Sequence, residues 1–139
     1  MGRARETMDR LTEAVFKKDF DTLRSLYAPD AVTVTPDAGE LTGPDAAVLY
    51  LKEFLDAFPD AEYQSLYQHE TGDTAIDEGY FVATHTQPLP LPEGESLAPT
   101  GRQVRLRSCD FLTVEGDLVR SHRIYFDQAQ LLDQLGLSD

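Results

Sequence analysis

Apolar residues recur every three or four positions from Arg3 to Lys18, at Ala4, Met8, Leu11 and Val15, the spacing of one buried stripe on an amphipathic helix. Asp19 stands where an N-cap is needed. A second short helix is predicted after it, with Phe20, Leu23, Leu26 and Tyr27 on one side and Pro29 as its stop. Ala31 to Thr35 reads as a short strand that turns through Pro36-Asp37-Ala38-Gly39 into a brief strand at Glu40 to Thr42. Gly43-Pro44 opens a third helix, because proline at the first helical position gives up only an N–H that would have no partner anyway. Its buried stripe is Val48, Leu51, Leu55 and Phe58, and Pro59 ends it.

The period then changes to two. Ala61 to Glu70 puts Tyr63, Ser65, Tyr67 and His69 on one face of a strand, Thr71-Gly72-Asp73 turns the chain, and Thr74 to Thr86 is a second, longer strand. Residues 87–100 carry Pro88, Pro90, Pro92, Pro99 and Gly94. Prolines lack the N–H that a ladder requires, so this stretch is predicted as a long stiffened loop outside any central strand: a cover for a site, an oligomer contact or a tolerated insertion. From Gly101 strand patterns return as two runs joined at Glu115-Gly116-Asp117. They end in a helix started by Asp127 with Gln130 and closed by Gly136.

This last hairpin carries the candidate chemistry. A three-residue loop puts Val104, Leu106, Ser108, Asp110 and Leu112 on one face with Leu118, Arg120, His122, Ile124 and Phe126. A two-residue turn would send Asp110 and His122 to opposite faces. The face is mostly apolar with a few polar groups, which suits the wall of a concave pocket. On it Asp110 and His122 fall directly or diagonally opposite. A carboxylate beside an imidazole fixes the tautomer of the ring and raises its basicity, so the pair can move a proton to or from an enolisable carbon. Asp110 and His122 are therefore the candidate catalytic residues. The competing readings are a hydrogen-bonded structural pair, or an Asp110–Arg120 ion pair with His122 a bystander.

Leu106, Ser108, Arg120, Ile124 and Phe126 are the candidate ligand-binding residues, joined by His85, which ends the preceding long strand and is placed to orient a carbonyl oxygen. Tyr63, Tyr67, Tyr80 and Phe81 are expected as further wall or core. The opposite face of the hairpin holds Arg105, Arg107, Cys109, Phe111, Thr113, Val119, Ser121, Arg123, Tyr125 and Asp127. Apolar and cationic groups mixed on one sheet face predict a homodimer built there.

Composition narrows the function classes. The 139 residues are expected to form one domain, 1–139, large enough to bury a core without disulfides or metal. Cys109 is the one cysteine and no nucleophile motif surrounds it. His69, His85 and His122 are scattered without zinc-ligand spacing, and no phosphate loop or dinucleotide fingerprint occurs, so neither metal nor cofactor is expected. A formal charge of −13 argues against nucleic acid as a partner. The charged start shows no signal-peptide pattern and no apolar run reaches spanning length, which predicts a cytoplasmic protein without membrane contact.

Helices first and strands last give an α+β plan: a cone-shaped barrel in which a curved, mostly antiparallel sheet wraps a long helix. Within that order stand the short stretches Thr84-His85-Thr86, Pro99-Thr100-Gly101-Arg102, Val114-Glu115-Gly116 and Asp127 with Gln134-Leu135-Gly136. In these motifs, from about Leu23 onward, the chain resembles the SnoaL-like polyketide cyclases of the nuclear-transport-factor-like (cystatin-like) α+β barrel superfamily. The resemblance implies intramolecular aldol ring closure by an acid/base Asp and a nearby His on the last strands, without metal or cofactor, in a dimer. Related enzymes often carry a Trp-Asp pair in the last strand, where this chain reads His122-Arg123-Ile124 with no carboxylate. Asp127 matches a recurrent family Asp, yet capping accounts for it. Two functions follow: a cofactor-free cyclase or isomerase acting on a polyketide-like carbonyl compound, or a non-catalytic small-hydrophobic-ligand-binding or dimeric accessory domain.

Overall fold

A computed structural model of the chain describes residues 2–91 and 94–137. Helix α1 is Arg3–Phe16, α2 is Phe20–Leu26, α3 is Pro44–Ala57 and α4 is Gln128–Gln134. The long strands are β1 (Tyr27–Thr35), β3 (Glu62–Thr71), β4 (Thr74–Thr84), β7 (Gln103–Glu115) and β8 (Leu118–Phe126). The short ones are β2 (Gly39–Thr42), β5 (Leu89–Pro90) and β6 (Ser96–Leu97). Six strands form one sheet in the order β2-β1-β8-β7-β4-β3, with β1 and β8 parallel and every other neighbour antiparallel. The α+β plan expected from the order of helices and strands is thus the one observed.

Burial follows the two periods. On α1 the stripe Ala4, Met8, Leu11 and Val15 is buried, and β4 alternates strictly, with Ala75, Asp77, Gly79, Phe81 and Ala83 inward. Helices α1 and α3 cover this inward face, and Phe58 just after α3 is fully enclosed. The side chain of Asp19 accepts from Thr22 N–H and that of Asp127 from Gln130 N–H, so both expected caps are made.

Three details differ from the expectation. Strand β1 begins at Tyr27, so Pro29 lies inside it; it sits where the register against β8 slips between Tyr27 and Val32, a place where a missing N–H breaks no ladder bond. The proline-rich stretch stays outside the main sheet as expected, but Leu89–Pro90 and Ser96–Leu97 pair as a small hairpin of their own. Pro92 lies outside the described residues.

The third difference concerns the hairpin of β7 and β8. Glu115 pairs with Leu118, so the turn is two residues, Gly116-Asp117, with Gly116 at φ 64° where an L side chain would be strained. Such a turn alone would separate Asp110 from His122. A β-bulge restores their common face: Thr113 pairs with Ser121 but Val114 with Val119, leaving Arg120 as the extra residue. The two-residue turn pairs Val119 with inward-facing Val114 and leaves Leu118 outside, and the bulge puts Arg120 outside as well, so Leu118 and Arg120 face outward and Val119 inward, contrary to expectation.

Candidate functional site

Beyond the bulge, Leu112 faces His122 and Asp110 faces Ile124, which makes Asp110 and His122 diagonal neighbours on the inner face. His122 Nε2 lies 2.9 Å from Asp110 Oδ2. The ring of His122 is almost fully buried, at 1% exposure, whereas the Asp110 side chain keeps 25%. On the other side of the ring, His122 Nδ1 lies 2.9 Å from Tyr27 Oη. Tyr27 is delivered by the first residue of β1, the strand that runs parallel beside β8.

Burial, reinforced by the Asp110 charge, pushes the Tyr27 phenol far above its ordinary pKa, so it stays protonated and acts as a donor. A carboxylate can only accept, so Nε2–H is the donor to Asp110, and in the neutral ring Nδ1 then accepts from the Tyr27 O–H. The arrangement is a Tyr27–His122–Asp110 chain that ends at a carboxylate. That end faces a cavity of about 110 Å³.

The cavity lies between α1, α3 and the sheet. Phe16, Phe54, Phe81 and Phe126 supply aromatic wall, Met8, Leu11, Leu51, Leu106 and Ile124 aliphatic wall, and Tyr50, Tyr63, Asp77, Ser108, Asp110 and His122 the polar groups. Leu106, Ser108, Ile124 and Phe126 thus lie where the sequence placed them. A wider, open groove of about 620 Å³ borders it and shares Thr12, Phe16, Tyr63 and Asp77 as lining.

Two candidate ligand residues lie elsewhere. Arg120, the bulged residue, points outward and donates to Glu115 at 2.6 Å, so it is neither cavity lining nor a partner of Asp110. His85 does not line the cavity: it is fully enclosed, packs 5.3 Å from the Phe58 ring, and accepts from Thr100 N–H through Nδ1. It pins the chain after the proline-rich stretch instead of holding a ligand. Tyr67 and Tyr80 also leave the wall. A register shift at Leu66 sets Tyr67 opposite Glu78 on the outer face, and Tyr80 lies under the guanidinium of Arg105 at 3.6 Å.

Since Thr100 N–H already occupies Nδ1, protonating His85 would set a donor against a donor, and burial lowers its pKa as well. A lowered pKa means the unfolded chain binds more protons, so stability is full above about pH 6.5 and falls as the pH drops below it. Thermal unfolding between pH 7 and 5 should therefore show a steeper loss for the wild type than for His85→Gln, whose amide oxygen can still accept from Thr100.

A second carboxylate stands beside the first. Asp77 pairs directly with Asp110 across β4 and β7, and both face inward. Like charges so placed repel, and the chain neutralises one of them: buried Arg5 of α1 binds Asp77 Oδ1 at 2.6 Å and Oδ2 at 2.9 Å and also reaches Asp9 at 2.8 Å. Burial opposes the Arg5 charge, but the hydrogen bonds to Asp77 and Asp9 hold its pKa above the ordinary value. Asp110 is left as the carboxylate whose partner is an imidazole.

Tyr27, Arg5 and Asp77 escape the sequence reading. Asp77 announces itself faintly, as a charge in an otherwise apolar alternation on β4, and Arg5 as a charge next to the α1 stripe. Among the described residues no group of three or more His, Cys, Asp or Glu could hold a metal ion, and no helix is long and apolar enough to cross a membrane.

The profile of the SnoaL-like polyketide cyclase family matches residues 5–135. Among solved structures, a candidate SnoaL-like polyketide cyclase from Jannaschia sp. CCS1 superimposes with a TM-score of 0.86 at 16% identity, covering 99% of this chain and 94% of that one. IdmH, a candidate polyketide cyclase from Streptomyces antibioticus, gives 0.78 at 25% identity over 97% and 99%. AclR, a candidate hydroxylase from Streptomyces galilaeus, gives 0.78 at 22% identity over 98% and 86%. No curated protein matches the sequence.

Proposed function

Because the chain belongs to the SnoaL-like polyketide cyclase family, we propose that it is a cofactor-independent acid/base catalyst, a cyclase or isomerase acting on a polyketide-like carbonyl compound. The observation that carries this reading is the Tyr27–His122–Asp110 chain ending at an apolar cavity. In the proposed step the Asp110 carboxylate takes a proton from the carbon next to a carbonyl, and the C–H electron pair moves into the enolate. In a cyclase that carbon bonds to a second carbonyl of the same molecule, and the proton on Asp110 passes to the new alkoxide. In an isomerase it returns to a different carbon. His122 holds its Nε2–H on the carboxylate throughout, and Tyr27 fixes the tautomer that makes this possible.

The cavity size narrows the substrate. An engineered cavity of about 150 Å³ takes up benzene, so a space of about 110 Å³ suits one small ring, and the rest of a larger molecule would extend into the bordering groove. Cyclohexanone in deuterium oxide is a direct probe. The protein should accelerate exchange of its α-hydrogens, read by NMR. Binding without any acceleration favours the second reading, a non-catalytic ligand-binding or accessory domain, which the lack of a carboxylate at His122-Arg123-Ile124 supports.

The outer sheet face fits a homodimer contact. Arg105 and Arg107 lie against Tyr80, Arg123 lies over Phe111, and Tyr125 is 47% exposed. Light scattering at micromolar concentration should give twice the chain mass, and a monomer there would end this proposal.

A further inference from the structure

Tyr63 Oη is closed off from solvent and makes no hydrogen bond. A buried hydroxyl in that state is costly, so its retention calls for a reason. Its position supplies one. Tyr63 faces Phe81 in the ladder, but its ring leans back over Gly79: a Cβ on that glycine would lie 2.8 Å from Tyr63 Cζ and 2.9 Å from Oη. A side chain at 79 would collide first with the Gln64 backbone carbonyl and then with the phenol, so the glycine admits both the close approach of β3 and the Tyr63 ring.

Gly79 pairs with Ser108 on β7, and the next inward pair along the two strands is Asp77 with Asp110. The missing side chain thus lets the phenol reach across β4 to the Ser108 position, one row from the Asp110 carboxylate. Burial first, and then the charges of Asp110 and Asp77, keep the phenol protonated and able to donate, against an opposing pull from the nearby Ser108 hydroxyl.

We propose that Tyr63 is the donor that holds the substrate's carbonyl oxygen, with Gly79 as the residue that admits it, so the ligand class is an enolisable ketone bound with its oxygen on Tyr63 and its α-carbon on Asp110. This inference rests on the acid/base reading above. During proton removal the negative charge moves from the α-carbon to that oxygen, so a donor already in place there, without other partners to give up, stabilises the transition state more than the ground state.

The test uses two ligands of the same shape, cyclohexanone and methylenecyclohexane, which differ in having an oxygen or a CH2 at the donor's position. In Tyr63→Phe the affinity for cyclohexanone should fall roughly three- to tenfold while that for methylenecyclohexane is unchanged. α-Hydrogen exchange should slow by about a hundredfold, and the melting temperature should hold or rise, since the variant buries no unpaired hydroxyl. A lower melting temperature, or unaltered cyclohexanone affinity and exchange, would overturn the role of Tyr63 and leave the Asp110 reading standing. If the wild type discriminates between the ligands through Tyr63 but exchanges nothing, the anchor stands as a binding contact and the acid/base reading fails. If the wild type binds neither ligand, both fall.

Discussion

Asp110→Asn should lose α-hydrogen exchange of cyclohexanone by on the order of a hundredfold or more while still binding the ketone. Asparagine has nearly the shape of aspartate, and its amide oxygen can still accept from His122 Nε2–H, so the Tyr27–His122 part of the chain and the cavity wall have no reason to move. An amide cannot take up a proton at neutral pH. The substitution therefore separates shape from chemistry: the enzyme reading requires exchange to collapse with binding retained, whereas under the ligand-binding reading the wild type has no exchange to lose and the change alters stability and little else. Tyr27→Phe should act more mildly. It removes the bond that selects the ring tautomer, so exchange should slow with little change in affinity, and a variant as fast as the wild type would show that Tyr27 only packs.

The halves of this site differ in how far the sequence discloses them, and the difference is one of range. Within β7 the alternation is local, and it places Leu106, Ser108 and Asp110 on the inner face without further information. Joining that face to His122 depends on the parity of the turn, which two features set together. Gly116-Asp117 makes the turn one residue shorter than Glu115-Gly116-Asp117 suggests, and the bulge at Arg120 adds that residue back. The two displacements cancel for His122, Ile124 and Phe126 but not for Arg120, which lies between them. Nothing in the composition of Leu118 to Ser121 marks a bulge, because any residue that tolerates exposure can occupy one. The shift at Leu66, which sends Tyr67 outward, is unmarked for the same reason.

The remaining groups belong to contacts between distant parts of the chain. Tyr27 meets His122 across 95 positions, through a parallel pairing of β1 with β8 that no hairpin signal announces. Its place next to Leu26 makes it look like part of the α2 stripe, whereas the structure uses it as the first residue of β1. His85 misleads in the other direction. A histidine at a strand end beside a proline-rich segment is read as a ligand contact, a surface group or a structural one, and it is the return of Thr100 to Arg102 alongside it, closing it off completely, that selects the last.

Arg5→Met should destabilise the fold by about 3–5 kcal/mol, the largest loss expected from a single change outside the aromatic core. Arg5 and Asp77 have side-chain exposures of 9% and 6%, and their contact spans 72 positions, tying the first turn of α1 to the middle of the sheet. Methionine fills much of the same volume but leaves the Asp77 carboxylate buried without its cation, directly across from Asp110. The unpaired charge, not the lost bond, carries most of that cost, since a buried ion pair taken as a whole contributes little net stability. Arg5→Met combined with Asp77→Leu should accordingly recover most of the loss, because neither charge then remains and the site can close over apolar groups. Chemical denaturation of the four proteins in the cycle measures this directly. A double variant as unstable as Arg5→Met alone would mean that Arg5 holds α1 through Asp9 and packing, and that neutralising Asp77 is not its purpose.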